Sequence, residues 1–405
     1  MPKEAYLTTV YKDSTKRNVA LLAACQALLF TNNSTLIAIN GLAGLALAPY
    51  IGLATLPVTC WVLGGAIGTM PASLHMKRVG RQRGLTTGTR WGIVGALICA
   101  SAIWAQSFWL LCFGTLVFGV YNAYGQYYRF AAADVASGDF KPIAISLVLA
   151  GGLVGGILGP TSSRWTIDML GPKFMAAYLV LIGFALMTLM LLRLVRIPTP
   201  TAAEQSATGR PLREIAAQPK FIVAVLAGAI GYGVMNFLMT STPIAMQVCG
   251  HPYSDAAFVI SSHIIGMFAP SFFTGRLIRR LGVLPVMVAG VLCNFGAIAI
   301  ALSGIAVSQF WFSLVLLGVG WNFLYLGGTT LLTQTYRPEE RARAQGTNEQ
   351  AIFIMMAISS FTSGMTVTTA GWQRVNLFAL PLVAVVGVAI VWYALRNRAQ
   401  KAAAA

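Results

Sequence analysis

Apolar residues in this chain come in long unbroken blocks separated by short polar or basic turns. They show neither the alternation of a half-buried strand nor the single stripe of a surface helix. Read for stretches of about 20 apolar residues, the length a helix needs to cross a bilayer, the blocks fall at roughly 18–40, 46–74, 85–105, 108–130, 142–163, 174–195, 221–247, 254–276, 283–303, 308–334, 345–368 and 372–395. The pattern predicts an all-α membrane protein of twelve transmembrane helices with both termini on the same side.

The longest polar stretch runs from Arg196 to Lys220 and holds Ile197-Pro-Thr-Pro-Thr201 and Gly209-Arg-Pro-Leu-Arg213, breakers that suit a linker. Two six-helix halves follow, 1–197 and 220–405, joined by a linker at 198–219. The halves also resemble each other. Gly119-Val-Tyr-Asn122 answers Val319-Gly-Trp-Asn322, and Asp139-Phe-Lys141 answers Glu339-Glu-Arg341, both at an offset of 200. The turn ending Lys77-Arg78-Val79-Gly80-Arg81 mirrors Gly275-Arg-Leu-Ile-Arg-Arg-Leu-Gly282. A duplicated six-helix unit places the transport path between the halves at mid-membrane.

Composition strengthens the membrane assignment: 57% of the 405 residues are apolar, 10% are charged, and the mean hydropathy is +0.72. The net charge of +17 resembles a nucleic-acid footprint only until its distribution is read. With both termini inside, all of the 28 Lys and Arg except Arg164, Lys173 and Arg374 fall on the cytoplasmic side. This is the positive-inside pattern; it predicts a multi-pass inner-membrane protein with cytoplasmic termini and excludes nucleic acid as a partner. The first apolar block is too long for a cleaved signal and reads as a retained helix. The six cysteines are scattered and define no disulfide framework.

Two pairs of soft ligands stand in consecutive blocks: Met235-Asn-Phe-Leu-Met239 in the seventh and His263-Ile-Ile-Gly-Met267 in the eighth. A spacing of four puts each pair on one helix face. Thioether sulfur and neutral imidazole suit Cu(I), and neither brings a charge into the bilayer. Gly231, Gly233 and Gly266 beside them predict close approach of the two helices. Alternatively, His263 hydrogen-bonds a serine or a backbone carbonyl, or carries a proton. Met246, Cys249 and His251 continue the soft atoms toward the mouth of the seventh helix and form a candidate relay. Arg129 and Asp134, near the cytoplasmic end of the fourth helix, read either as interface residues that snorkel or pair, or as gating residues.

The loop after the second and eighth helices resembles the signature G-x-L-x-D-R-x-G-R of the major facilitator superfamily. One copy is Gly275-Arg-Leu-Ile-Arg279-Arg280-Leu-Gly282, and a degraded one is Ser73-Leu-His-Met-Lys77-Arg78-Val-Gly80-Arg81. Lys77 and Arg279 replace the acidic residue in the two copies. The resemblance covers essentially the whole chain and implies the major facilitator fold. Gly155-Gly-Ile-Leu-Gly159-Pro160 is similar to part of the antiporter motif of that family, and helix packing explains it equally well.

Within the superfamily the two ligand pairs resemble those of the CcoA-type copper importers. That resemblance implies copper bound by Met235, Met239, His263 and Met267, a thiol role for Cys249, and supply of copper to a cbb3-type cytochrome oxidase, with cytosolic copper-accepting proteins as partners. Copper is then the transported substrate, and no cofactor is expected. Helix 4, the fourth block, with Tyr121-Asn122-Ala-Tyr124-Gly-Gln126-Tyr127-Tyr128-Arg129, also fits a surrounding subfamily that includes riboflavin importers. Its aromatic and amide-rich wall suits a planar organic solute. A drug exporter of the same fold and a copper-binding receptor or assembly protein are the remaining alternatives. No G-x-x-x-x-G-K-[ST] occurs, so a secondary transporter is expected and not an ATPase or another enzyme.

Overall fold

The computed structural model describes residues 3–50, 53–199 and 209–404, and among these every regular element is helical. Two compact units divide the chain, Met1–Ala207 and Thr208–Ala405. Of the predicted linker at 198–219, residues 200–208 lie outside the described residues.

The first unit contains helix 1 (Lys3–Leu47), helix 2 (Leu56–Val79), helix 3 (Arg81–Trp104), helix 4 (Phe108–Gly125 and Tyr128–Val135), helix 5 (Lys141–Thr166) and helix 6 (Met175–Leu194). The second contains helix 7 (Pro219–Val248), helix 8 (Tyr253–Phe268 and Ser271–Leu281), helix 9 (Val283–Leu302), helix 10 (Val307–Leu332), and Arg341–Ala404, which holds helices 11 and 12. Gly371, at φ 79°, divides those last two, because a left-handed residue cannot sit inside a right-handed helix.

Nine helical stretches among the described residues are long and apolar enough to cross a membrane. The last, Pro338–Asn397, carries two spans. Helices 2 and 3 fall below that threshold; glycine, proline, threonine and serine dilute the first, and Arg81, Arg83 and Arg90 the second. The expected count of twelve is therefore complete.

The repeat seen in sequence is also a repeat of local geometry. Gly80 between helices 2 and 3 has φ 87° and ψ 160°, and Gly282 between helices 8 and 9 has φ 89° and ψ 164°. Both positions need a residue without a Cβ. Helix 5 follows a short 3-10 turn at Gly138–Phe140, and helix 11 follows one at Pro338–Glu340, again 200 residues apart.

Glycine sets the packing. A Cβ at Gly155 would lie 2.4 Å from Phe30 Cβ and one at Gly159 would lie 2.4 Å from Ser34 Cβ, so helix 5 rests directly on helix 1. Thr35 Oγ1 donates to the Gly159 carbonyl at 3.0 Å across that seam. The Gly155–Gly159 motif thus serves as a packing surface.

Candidate functional site

Helix 7 packs mainly against helices 11 and 10, and helix 8 mainly against helix 10; helices 7 and 8 meet only sparsely. The glycines follow this arrangement and not the predicted one. A Cβ at Gly231 would meet Leu324 of helix 10, one at Gly233 would meet Met355 of helix 11, and one at Gly266 would meet the Val315 carbonyl of helix 10 at 2.7 Å. The expectation that these residues bring helices 7 and 8 together is corrected accordingly: each closes a different interface.

Met235 is buried at 2% exposure, Met267 at 6%, and His263 fully, while Met239 is half-buried. His263 Nδ1 lies 2.6 Å from the Leu314 carbonyl, which makes it the donor nitrogen. Its Nε2, the atom left with a lone pair, is buried with no hydrogen-bond partner among the described residues. This is the tautomer a metal or a hydrogen-bond donor requires. Met246 is buried, and Cys249 caps helix 7. His251 Nε2 is engaged with the Ile305 carbonyl at 2.7 Å, so that nitrogen anchors the turn after helix 7.

Helix 4 breaks at Gln126–Tyr127, and its tyrosines and amides diverge. A Cβ at Gly88 or Gly92 would lie 2.2 Å from Tyr124 Cβ or 2.7 Å from Tyr121 Cδ1, so these rings fill a glycine groove on helix 3. Tyr127 donates its hydroxyl to the Thr69 carbonyl at 3.0 Å. The aromatic wall predicted on helix 4 is therefore packing, a correction that leaves only its amides available to a solute. Those amides face helix 1: Asn33 Nδ2 donates to Asn122 Oδ1 at 2.8 Å and Gln126 Nε2 to the same oxygen at 3.0 Å.

Arg129 does not snorkel to an interface. It is 2% exposed, donates to the Gln126 carbonyl at 2.9 Å and lies 4.6 Å from the centre of the Phe130 ring. Asp134 accepts from Arg81 Nε at 2.9 Å, with both side chains 8% exposed. Helix 4 thus supplies an acidic partner for Arg81, the last position of the loop signature.

The second half holds an aromatic cluster that sequence reading missed. Trp321 and Tyr325 stack at 4.8 Å, Tyr232 stands edge-on to both at 5.4 and 5.6 Å, and Phe268 is edge-on to Trp321 at 5.7 Å. Tyr232 is the half-buried member, and Trp321 Nε1 is a buried donor without a partner among the described residues. Trp321 and Tyr325 are four residues apart on helix 10, a spacing that puts both rings on one face. Glu349 is a further candidate: the carboxyl is fully buried in helix 11 and accepts from Asn348 Nδ2 at 2.7 Å. An ionisable group at such a depth is a functional candidate by cost alone.

Two helix bundles of equivalent local geometry, each with helices long and apolar enough to cross a membrane, define a multi-pass membrane protein built on a repeat. The profile of the Major Facilitator Superfamily matches residues 20–332, and the chain belongs to that superfamily. Among characterised relatives, the riboflavin transporter RfnT of Brucella anthropi is 42% identical over 382 residues, covering 93% of this chain and 95% of that protein. The uncharacterised MFS-type transporter YddS of Bacillus subtilis is 27% identical over 84% of this chain and 82% of its own length. In fold, the chain is similar to the crystal structure of the MFS transporter FucP in the outward conformation, with a TM-score of 0.78 at 16% identity, covering 94% of this chain and 99% of that one.

Proposed function

We propose that this secondary transporter imports riboflavin or a closely similar planar heteroaromatic solute across the inner membrane, with both termini cytoplasmic. One observation carries the reading: the 42% identity to a riboflavin transporter, sustained over 93% of the chain. The half-buried Tyr232, backed by the buried Trp321, Tyr325 and Phe268, is its physical counterpart, since a planar ring binds by stacking on an aromatic face held in place beforehand. Trp321 Nε1 then offers a hydrogen bond to a ring carbonyl. In this reading Arg129 and the Arg81–Asp134 pair belong to a gate at the basic ends of the helices. The test is growth of a bacterial strain that cannot make riboflavin: expression of this protein should lower the external riboflavin needed for growth, and an unchanged requirement contradicts the proposal.

A second reading, copper import feeding cbb3-type oxidase assembly, rests on the bare Nε2 of the fully buried His263, with Met267 one turn along the same helix and Met235 buried on helix 7. Met239 completes that ligand set, with Met246 and Cys249 leading to it. It predicts that Met235→Leu, His263→Leu and Met267→Leu each abolish radiolabelled copper accumulation at unchanged protein level. Leucine keeps the volume and the apolarity, so the loss reports ligation. Wild-type copper uptake in all three removes copper from the account.

A further inference from the structure

Amide side chains recur seven residues apart along helix 1, at Gln26, Asn33 and Asn40, which puts them on one face. Asn40 accepts the Tyr178 hydroxyl at 2.7 Å, which satisfies its carbonyl oxygen and leaves its Nδ2 without a hydrogen-bond partner among the described residues. The other two differ. Gln26 is 3% and Asn33 5% exposed, and Gln26 Oε1 and Asn33 Oδ1 are buried without a hydrogen-bond partner among the described residues. A carbonyl oxygen left bare in an apolar bundle costs on the order of 1–3 kcal/mol. Two of them on one face, about 10 Å apart along the axis, form a pair of acceptors waiting for donors.

The surroundings hold these acceptors in place. Asn33 Nδ2 is fixed on Asn122 Oδ1 at 2.8 Å, and Gln126 Nε2 is fixed on the same oxygen at 3.0 Å. Gln126 caps the first segment of helix 4 and is only half-buried, so the break opens beside the amides. Leu29 lies between Gln26 and Asn33 in sequence. A Cβ on Gly125 would come within 2.2 Å of Leu29 Cδ2, so helix 4 is pressed onto helix 1 between the two amides.

We propose that Gln26 and Asn33, the latter fixed on Asn122, form a solute-recognition site in the first half that accepts hydrogen bonds from N–H or O–H donors of the transported molecule. The proposal rests on the flavin reading and deepens it. A flavin carries two sources of that chemistry, the imide N–H of its ring and the hydroxyls of its polyol chain. Apolar drugs of similar size carry neither.

The test is saturable uptake of riboflavin by cells expressing wild type, Asn33→Leu or Gln26→Leu, with competition by lumiflavin, which has no polyol, and by 3-methylriboflavin, which has no imide N–H. Folding is checked by size-exclusion profile, and if Asn33→Leu does not fold, Gln26→Leu carries the same test. The expected result is a rise in riboflavin KM of about tenfold, with the inhibition constant of one analogue rising in parallel and that of the other unchanged. An unchanged lumiflavin constant assigns the site to the polyol hydroxyls, and an unchanged 3-methylriboflavin constant assigns it to the imide. If all three solutes weaken alike, or none does, the site is refuted while the flavin reading stands. Absence of saturable riboflavin uptake by the wild type refutes both.

Discussion

Asn122 and Asn322 occupy equivalent positions of the repeat, yet they serve opposite purposes. Asn322 Nδ2 donates to the Met267 carbonyl at 2.7 Å and to Ser271 Oγ at 2.6 Å, while its Oδ1 accepts from Thr274 Oγ1 at 2.8 Å. All three partners flank the break of helix 8 at Ala269–Pro270, so this asparagine is a brace that replaces hydrogen bonds the interrupted helix lacks. Asn122 instead gathers Asn33 and Gln126 on one oxygen, and Asn33 keeps a bare acceptor beside it. Duplication copied the residue; divergence of helices 1 and 8 decided whether its hydrogen bonds were spent on structure or left for a ligand.

The largest expected effect breaks the brace. Asn322→Leu should lower stability by about 1–3 kcal/mol, because it removes three hydrogen bonds at the break of helix 8, among them the one to the Met267 carbonyl. Asn122→Leu should cost less stability and more riboflavin uptake. Thermal unfolding in detergent beside uptake at matched expression makes the comparison, and equal loss of stability in the two variants would erase the distinction between the halves.

A smaller effect is expected at the aromatic cluster. Tyr232→Ala removes the half-buried ring and should raise riboflavin KM by about tenfold, in keeping with one to two aromatic pairs of about 0.5–1.5 kcal/mol each; Tyr232→Phe should stay near wild type. Quenching of flavin fluorescence by the purified protein reports the same contact. Undiminished quenching in the alanine variant would place the ring elsewhere.

The smallest effect concerns the end of the linker. Arg210 chelates Glu340 through Nε and Nη2, each at 2.7 Å, and this guanidinium, aided by the backbone N–H groups of Arg337 and Arg210, holds the Glu340 carboxyl down at about 2. A depressed carboxylate stabilises the fold fully above its ordinary value of 4.5 and loses that contribution as pH falls toward 2. The melting-temperature gap between wild type and Glu340→Gln should therefore hold steady from about pH 8 to 5 and shrink below about 4.5. A gap that does not depend on pH would show that Glu340 acts by packing alone.

The fold was legible because a bilayer imposes lengths and the duplication repeats its turns: the blocks, the basic loops and the glycines at 80 and 282 were all readable. The site was less so. Met and His pairs stood out because they are rare, whereas Trp321 and Tyr325 merged into an apolar block and Gln26 and Asn33 into a long first helix. Periodicity says which face a residue lies on and not which neighbour that face meets. Hence Gly231, Gly233 and Gly266 were assigned to one interface and belong to three, and the tyrosines of helix 4, read as a lining, fill grooves in helix 3. Bare atoms such as Asn33 Oδ1, Trp321 Nε1 and His263 Nε2 exist only once the partners of every other polar group are known.

The central claim is that the solute is a flavin, and purified protein in proteoliposomes tests it without other transporters present. Radiolabelled riboflavin and radiolabelled copper are offered to the same vesicles, each with an excess of the other unlabelled. The account predicts saturable riboflavin entry that unlabelled riboflavin abolishes and copper does not affect. Copper entry that depends on the protein, with riboflavin entering no faster than into empty vesicles, would contradict it.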